Sequence, residues 1–373
     1  MIIAVNTRLR KNEQPEGYED FIFQLLHQVT SQYPQHRFLY IFDKPYPTNL
    51  VFANHVTPLI AGPETSNRLR LQYWFNYKIA GLIRKHKADV FVSMEGICSL
   101  RSKIPQLLMI SDCRFLQYPN LIKKSQAGFF KKFTPAFLTR STSIAAVSDF
   151  SKSVIADQYK INTSAITVIK PIIDELFKPV HEAEKELIKE TYSEGKAYFL
   201  FSGHINLQSN LVNLLKAFSF FKKRQKSNMM LLIAGNADDS FKKELKTYKF
   251  RHDVILLENL LTPDLAKITA AAYALVYPVL YADFALPPLQ AMQCGVPVIA
   301  TQSGALPSIC GEAALYIDSA DFKDIAENMM LIFKDEQKAG KLIQAGHAML
   351  EQNQRKKSAD LFMQSILKAI TIE

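Results

Sequence analysis

Short unbroken apolar runs alternate along this chain with stretches where apolar residues recur every three or four positions. The runs at residues 2–5, 38–42, 90–93, 107–110 and 144–147 predict strands in the first half, and those at 198–202, 229–234, 254–257, 274–277 and 298–300 predict strands in the second. Strands that are apolar throughout belong to sheets covered on both faces, the situation of parallel sheets flanked by helices. Helical spacing falls between the runs, at 18–30 and 67–86. After residue 202, Leu211, Leu214, Leu215, Phe218 and Phe221 form one stripe. Strand–helix alternation in two sets predicts an α/β chain with two Rossmann-like, doubly wound domains.

The joint is expected near residues 172–180, where Pro171 and Pro179 bracket a short acidic segment. This gives domains 1–175 and 176–373. The last helix, predicted at 359–370, follows a polar stretch at 351–357 and is compatible with either domain. Ligands of doubly wound sheets bind beyond the carboxyl ends of the strands. With the two domains face to face, the expected site is the cleft between them.

Composition narrows the class. At 373 residues, 48% hydrophobic and 21% charged, the chain can bury two cores. No apolar window reaches the ~20 residues of a spanning helix. The apolar start at residues 1–5 is too short for a signal peptide. Cys98, Cys113, Cys294 and Cys310 lack metal or redox spacing, and buried reduced thiols are the favoured reading. The expectation from these features is a cytoplasmic protein, with or without contact to a membrane surface. Charge is uneven: residues 1–178 carry 23 Lys and Arg against 13 Asp and Glu, and the remainder 22 against 22. A basic first half calls for an acidic partner, and no nucleic-acid motif accompanies it. Residues 121–137 mix Lys123, Lys124, Lys131 and Lys132 with Phe129, Phe130, Phe133 and Phe137. Such a helix has two readings, peripheral contact with the inner face of a membrane or burial of its phenylalanines in its own domain.

Candidate chemistry concentrates at residues 277–301, YPVLYADFALPPLQAMQCGVPVIAT, followed by SGALP at 303–307 and GEAALYID at 311–318. A turn at 282–287 joins a strand to a helix that starts near Pro287. Proline suits a first helical turn, and the unpaired N–H groups there, with the helix dipole, suit a diphosphate. Gly304 lets the neighbouring loop come close.

This string resembles the donor-binding signature of family-4 retaining glycosyltransferases, which have the GT-B fold. Three further blocks agree in order: 104–119 (IPQLLMISDCRFLQYP), 147–180 with SDFS and DELFKP, and 199–218. The resemblance implies transfer of a sugar from a nucleotide diphosphate to a glycan or lipid-linked acceptor, as in polysaccharide biosynthesis, with no metal and no other cofactor required. It implies donor contacts from Gly17, Gly203, His204, Ser209, Phe284, Ala285, Leu286 and Gln290, and catalytic positions at Ser111, Asp112 and Asp283.

The chain departs from the family where charge matters most. An Arg and a Lys usually face the diphosphate, and here the positions hold His204 and Ser209. Two acids eight apart fall at Ala282 and Gln290, and the acceptor-side His falls at Ser111, with Asp112 kept. Two lost charge-assisted hydrogen bonds weaken diphosphate binding by about 3–6 kcal/mol. Asp283 stands next to the missing acid, and Arg8 and Arg10 are candidate replacement cations, with solvated loop arginines as the plainer reading. Glu95 is a candidate for an acceptor sugar or for a helix cap. Two functions therefore stand: an active transferase, and a non-catalytic binding or scaffold protein descended from one.

Overall fold

The computed structural model describes residues 1–8, 17–46, 53–351 and 355–371, the side chains of residues 355 and 356 excepted. It contains two compact units, residues 1–172 with the last helix, and residues 173–354.

The first unit is a seven-stranded sheet in the order β3-β2-β1-β4-β5-β6-β7. Its strands are β1 Ile2–Asn6, β2 Arg37–Phe42, β3 Val56–Ile60, β4 Val90–Ser93, β5 Gln106–Ile110, β6 Ser143–Ala146 and β7 Ile166–Val168. The second unit has six strands in the order β10-β9-β8-β11-β12-β13. These are β8 Tyr198–Ser202, β9 Met230–Ala234, β10 Val254–Leu257, β11 Ala274–Tyr277, β12 Val298–Thr301 and β13 Ala314–Ile317. Every pairing is parallel. The order reverses between β1 and β4 in one sheet and between β8 and β11 in the other, which is where doubly wound folds bind ligands.

Three strands escape the apolar-run criterion, and all three lie at sheet edges. β3 is mostly half-buried and carries Pro58, tolerable where one side of a strand lacks a ladder partner. β7 has three residues, and β13 is half-buried at its centre.

The helices explain which faces are covered. Tyr18–Gln32 buries Phe21, Ile22, Leu25, Leu26 and Val29 at helical spacing. The predicted helix at 67–86 is broken into Arg68–Tyr73, a π-helical turn Trp74–Ile79 and Ala80–Lys85. Asn67 caps it, its side chain accepting from the Arg70 N–H at 3.0 Å. Trp74 is fully buried and donates through Nε1 to the Ala61 carbonyl at 2.6 Å. Helix Lys124–Arg140 turns Phe129 and Phe137 into the core, while Phe130 and Phe133 pack half-buried beside it. Of the two readings of that helix, its apolar side serves its own unit. All four cysteines are free and buried, and burial pushes the thiols of Cys98, Cys294 and Cys310 up to about 12.

The last helix, Arg355–Thr371, belongs to the first unit. It packs on helix Tyr18–Gln32 and beneath β4–β7, where Phe362, Met363 and Ile366 are almost fully buried. The Tyr33 hydroxyl donates to Asp360 Oδ1 at 2.8 Å. Removing residues 355–373 deletes these three buried side chains, whose burial stabilises by about 1.5–3 kcal/mol each, and exposes the faces of β4–β7 and of helix Tyr18–Gln32 that they cover. Calorimetry of the truncated chain should show an early transition from the first unit, with that of the second unit little changed.

Candidate functional site

Parallel strands bring all their carboxyl ends to one edge of each sheet, so the loops there decide what each unit can bind. In the second unit β8 leads into Gly203 and exposed His204. A methyl group on Gly203 would lie 3.9 Å from Tyr277 and 4.0 Å from Pro287, so the end of β8 sits beside the start of helix Leu286–Gln293.

The loop joining β11 to that helix is held on two sides. On one, the Leu280 N–H donates to the Gln208 carbonyl at 2.9 Å, and Asn210 Nδ2 donates to Pro278 O at 3.0 Å. On the other, the Ala305 N–H donates to Ala282 O at 2.7 Å and Ser303 Oγ to Leu280 O at 3.0 Å. Gly304 makes this approach possible: its φ is +60°, and a Cβ there would come 2.3 Å from Ala282 O. Within the loop Tyr281 donates its hydroxyl to Asp283 Oδ1 at 2.6 Å, with both residues buried. Tyr281 has no signal in the sequence beyond its closeness to Asp283.

The helix start is thinner in donors than its sequence implies. Pro287 and Pro288 both fall in the first turn and carry no N–H. The N–H groups of Ala285 and Leu286 remain, with Phe284 just before them. Gln290, on the same helix, is 6% exposed, and its amide has no hydrogen-bond partner among the described residues.

Ser209 has a local job. Its hydroxyl donates to Asn206 O at 2.6 Å and accepts from the Asn206 N–H at 3.2 Å, closing a capping box over the turn Leu207–Ser209. The residue is 3% exposed, so where the family pattern puts a long cation this chain has a self-satisfied turn. Of the predicted donor residues in this unit, Gly203, His204, Phe284, Ala285, Leu286 and Gln290 converge on the ends of β8 and β11, and Ser209 supports the turn beside them.

In the first unit the ends of β1, β2 and β4 share a buried polar chain. Asn6 Nδ2 donates to Glu95 Oε1 at 2.5 Å, and Arg8 pairs with the same carboxylate through Nε at 2.9 Å and through a second nitrogen. Arg8 also donates to Thr65 Oγ1 at 3.0 Å, and Thr65 donates through N–H and hydroxyl to Asp43 Oδ2 at 2.9 and 2.5 Å. Burial alone lowers the Arg8 pKa, but the Glu95 and Asp43 charges outweigh it and raise the value. The Arg8 guanidinium is thus neutralised internally and is not the replacement cation its position implies; Arg10 lies outside the described residues. Glu95 caps no helix, since its carboxylate serves Asn6 and Arg8. Two buried carboxylates around one guanidinium make this strand-end pocket unfavourable for an anion.

Gly17, with φ +57°, starts helix Tyr18–Gln32. The Tyr18 hydroxyl donates to Met94 O at 2.5 Å and meets the Ser111 hydroxyl. Burial, opposed by that Ser111 bond and aided by the Glu95 charge, raises its pKa. Asp112 forms an ion pair with Arg114, accepting from Nε at 2.9 and 3.0 Å. Gly17, Ser111 and Asp112 thus belong to the first unit, and Asp283 and the remaining candidates to the second.

Residues 182–349 match the family model Glycosyl transferases group 1. The matched residues fall within the second unit and cover most of it. The chain is 27% identical over 229 residues to O-antigen chain mannosyltransferase B of Escherichia coli, an alignment that spans 60% of each protein. It is 24% identical over 279 residues, 72% of each, to the O-antigen chain mannosyltransferase RfbU of Salmonella typhimurium. The fold also matches Anabaena HepE solved with UDP-glucose, with a TM-score of 0.76 at 15% identity over 98% of both chains. The chain therefore has the two-domain α/β architecture of GT-B proteins, and the group 1 domain contains the pinned loop before helix Leu286–Gln293.

That loop gives a direct test. In Gly304→Ala the left-handed backbone costs about 1–2 kcal/mol before the clash with Ala282 O is counted. A lower urea midpoint for the second unit is expected, with faster amide exchange at Ala305. Unchanged exchange there would show that the loop does not depend on this approach.

Proposed function

We propose that the protein is a retaining mannosyltransferase, moving mannose from a nucleotide diphosphate to a glycan or lipid-linked acceptor on the cytoplasmic side of a membrane. The observation that carries this reading is Gln290, a nearly buried amide left unspent on the helix that opens at Ala285 and Leu286. The amide is not among the side-chain atoms closed off from solvent without a partner, so a ligand hydroxyl can reach it. It stands at the position where the family pattern sets an acid against a ribose, and an amide both donates to and accepts from a hydroxyl. The mannosyltransferase names of the two bacterial relatives support the choice of sugar.

In the proposed reaction the bond from the anomeric carbon to the donor diphosphate breaks, and a bond from the acceptor oxygen forms on the same face. The acceptor proton passes to the departing phosphate, and a nucleoside diphosphate leaves. The N–H groups of Ala285 and Leu286 stabilise the leaving charge, His204 lies at the end of β8 beside them, and Asp283, held by Tyr281, faces the transferred sugar. No metal or further cofactor is needed for this chemistry. Asp112 and Ser111 stand on the acceptor side.

A second reading keeps a specific support. Ser209 spends its hydroxyl on its own turn, and with two prolines in the first turn the domain has fewer diphosphate donors than the group 1 pattern supplies. A non-catalytic binding or scaffold protein fits those facts. Incubation with GDP-, UDP- and ADP-linked sugars and glycan acceptors separates the two. Release of nucleoside diphosphate, with a mannosyl donor preferred, is expected. Absence of release and of saturable binding across the panel would give the protein to the scaffold reading.

The exposed end of β8 is the place to restore charge. His204→Arg adds a charge-assisted bond worth about 1.5–3 kcal/mol, so nucleoside diphosphate should bind at least about tenfold tighter by calorimetric titration. Ser209→Lys should instead lower stability, because it removes the capping box.

A further inference from the structure

The basic excess of the first half has one place where it meets exposed apolar side chains. On the segment Arg68–Tyr73 and the π-helical turn after it, Leu69 is 80% exposed, Tyr73 45% and Tyr77 49%, and Leu100 on the loop after β4 is 36% exposed. They form one face. Tyr73 stacks on Tyr77 with ring centroids 5.4 Å apart, Arg101 lies 4.4 Å over the Tyr77 ring, and the Leu100 N–H donates to Asn76 Oδ1 at 2.8 Å. The exposure is built in. Beneath it Trp74, Phe75, Ile79 and Ile83 are buried to 2% or less, and the Trp74 bond to Ala61 O fixes the turn. The wide turn sends Trp74 and Phe75 inward and leaves Tyr73 and Tyr77 outside.

Charge surrounds this face with one sign. Residues 66–88 contain six Lys and Arg and no acid, and residues 96–111 add Arg101 and Lys103 with no acid. Arg68, Arg70, Lys78, Arg101 and Lys103 are exposed, and no ion pair among the described residues uses them.

We infer that the face made by Leu69, Tyr73, Tyr77 and Leu100, rimmed by Arg68, Arg70, Lys78 and Arg101, docks on an anionic lipid surface. Leucine and tyrosine suit the boundary between headgroups and acyl chains, and lysine and arginine around them meet the lipid phosphates. A second copy of this chain is a poor occupant, because a two-fold contact would set the same cations against each other. Nucleic acid is a poor one too, since the tyrosine rings are stacked on each other and roofed by Arg101 rather than open to bases. The face differs from helix Lys124–Arg140, which buries Phe129 and Phe137 and keeps Phe130 and Phe133 half-buried. It does not depend on the transfer reaction, so its test and that of the proposed activity fail separately.

Trp74 is the single tryptophan of the chain and lies directly under this face, which makes it a built-in reporter. The full chain is mixed with phosphatidylcholine vesicles, with and without phosphatidylglycerol, carrying a dansyl headgroup label. Sedimentation only with the anionic vesicles, reversal by salt and energy transfer from Trp74 to dansyl are expected. A cation near such a surface contributes about fivefold to partitioning, so the triple variant Arg68→Gln, Arg70→Gln, Lys78→Gln should bind about a hundredfold more weakly. Leu69→Ser with Tyr77→Ser should bind at least tenfold more weakly with an unchanged melting temperature, and Tyr77→Phe should bind normally. Failure to bind anionic vesicles, or binding that survives Leu69→Ser with Tyr77→Ser, would overturn the inference. So would a dimer in sedimentation velocity that the same two substitutions dissolve, which would assign the face to a second copy.

Discussion

Parallel pairing is the constraint from which the rest of this protein follows. Each sheet has helices over its apolar strands, so polar groups collect where the strands end, and parallel strands all end on one side. The order reversals at β1/β4 and β8/β11 open those ends to the loops that carry Glu95, Gly203 and Asp283. Chemistry in either unit has nowhere else to gather.

At these ends the polar groups are largely satisfied within the chain. Around β8 and β11 the Asn206–Ser209 capping box, the Asn210 amide, the Tyr281–Asp283 bond and the close approach at Gly304 hold the backbone with mostly neutral hydrogen bonds. Around β1 and β4 the Arg8 guanidinium is absorbed by Glu95, with Thr65 and Asp43 beside it. Preorganised backbone donors do not require side-chain charge to stabilise a leaving diphosphate. The proposed transfer is therefore compatible with weak donor binding.

The interior strands were legible because they are apolar from end to end, and the helices at 18–32 and 211–225 because their stripes repeat at helical spacing. Three of the four edge strands were not: β3 with Pro58, three-residue β7 and half-buried β13 are recognisable only through the neighbour each pairs with. Among site residues, the close approach of the 303–305 loop to Ala282 was readable from Gly304, since few other residues allow it. The fate of Arg8 was not readable. Its partner Glu95 is 87 positions away, and a loop arginine looks the same in sequence whether solvated or neutralised. Tyr281 was passed over because a tyrosine beside a strand end reads as packing until its hydroxyl is placed.

Local and periodic features, then, are what the amino-acid string determined by itself: the α/β alternation, the two sets of strands and the turn before helix Leu286–Gln293. These depend on residues close in sequence and on the two-residue and 3.6-residue periods of the backbone. Tertiary structure alone decided that the last helix joins the first unit, that helix Lys124–Arg140 buries Phe129 and Phe137 and that Leu69, Tyr73 and Tyr77 face out. Each of those outcomes turns on which distant surface competes for a side chain, and burial is a property of the packed chain rather than of any segment.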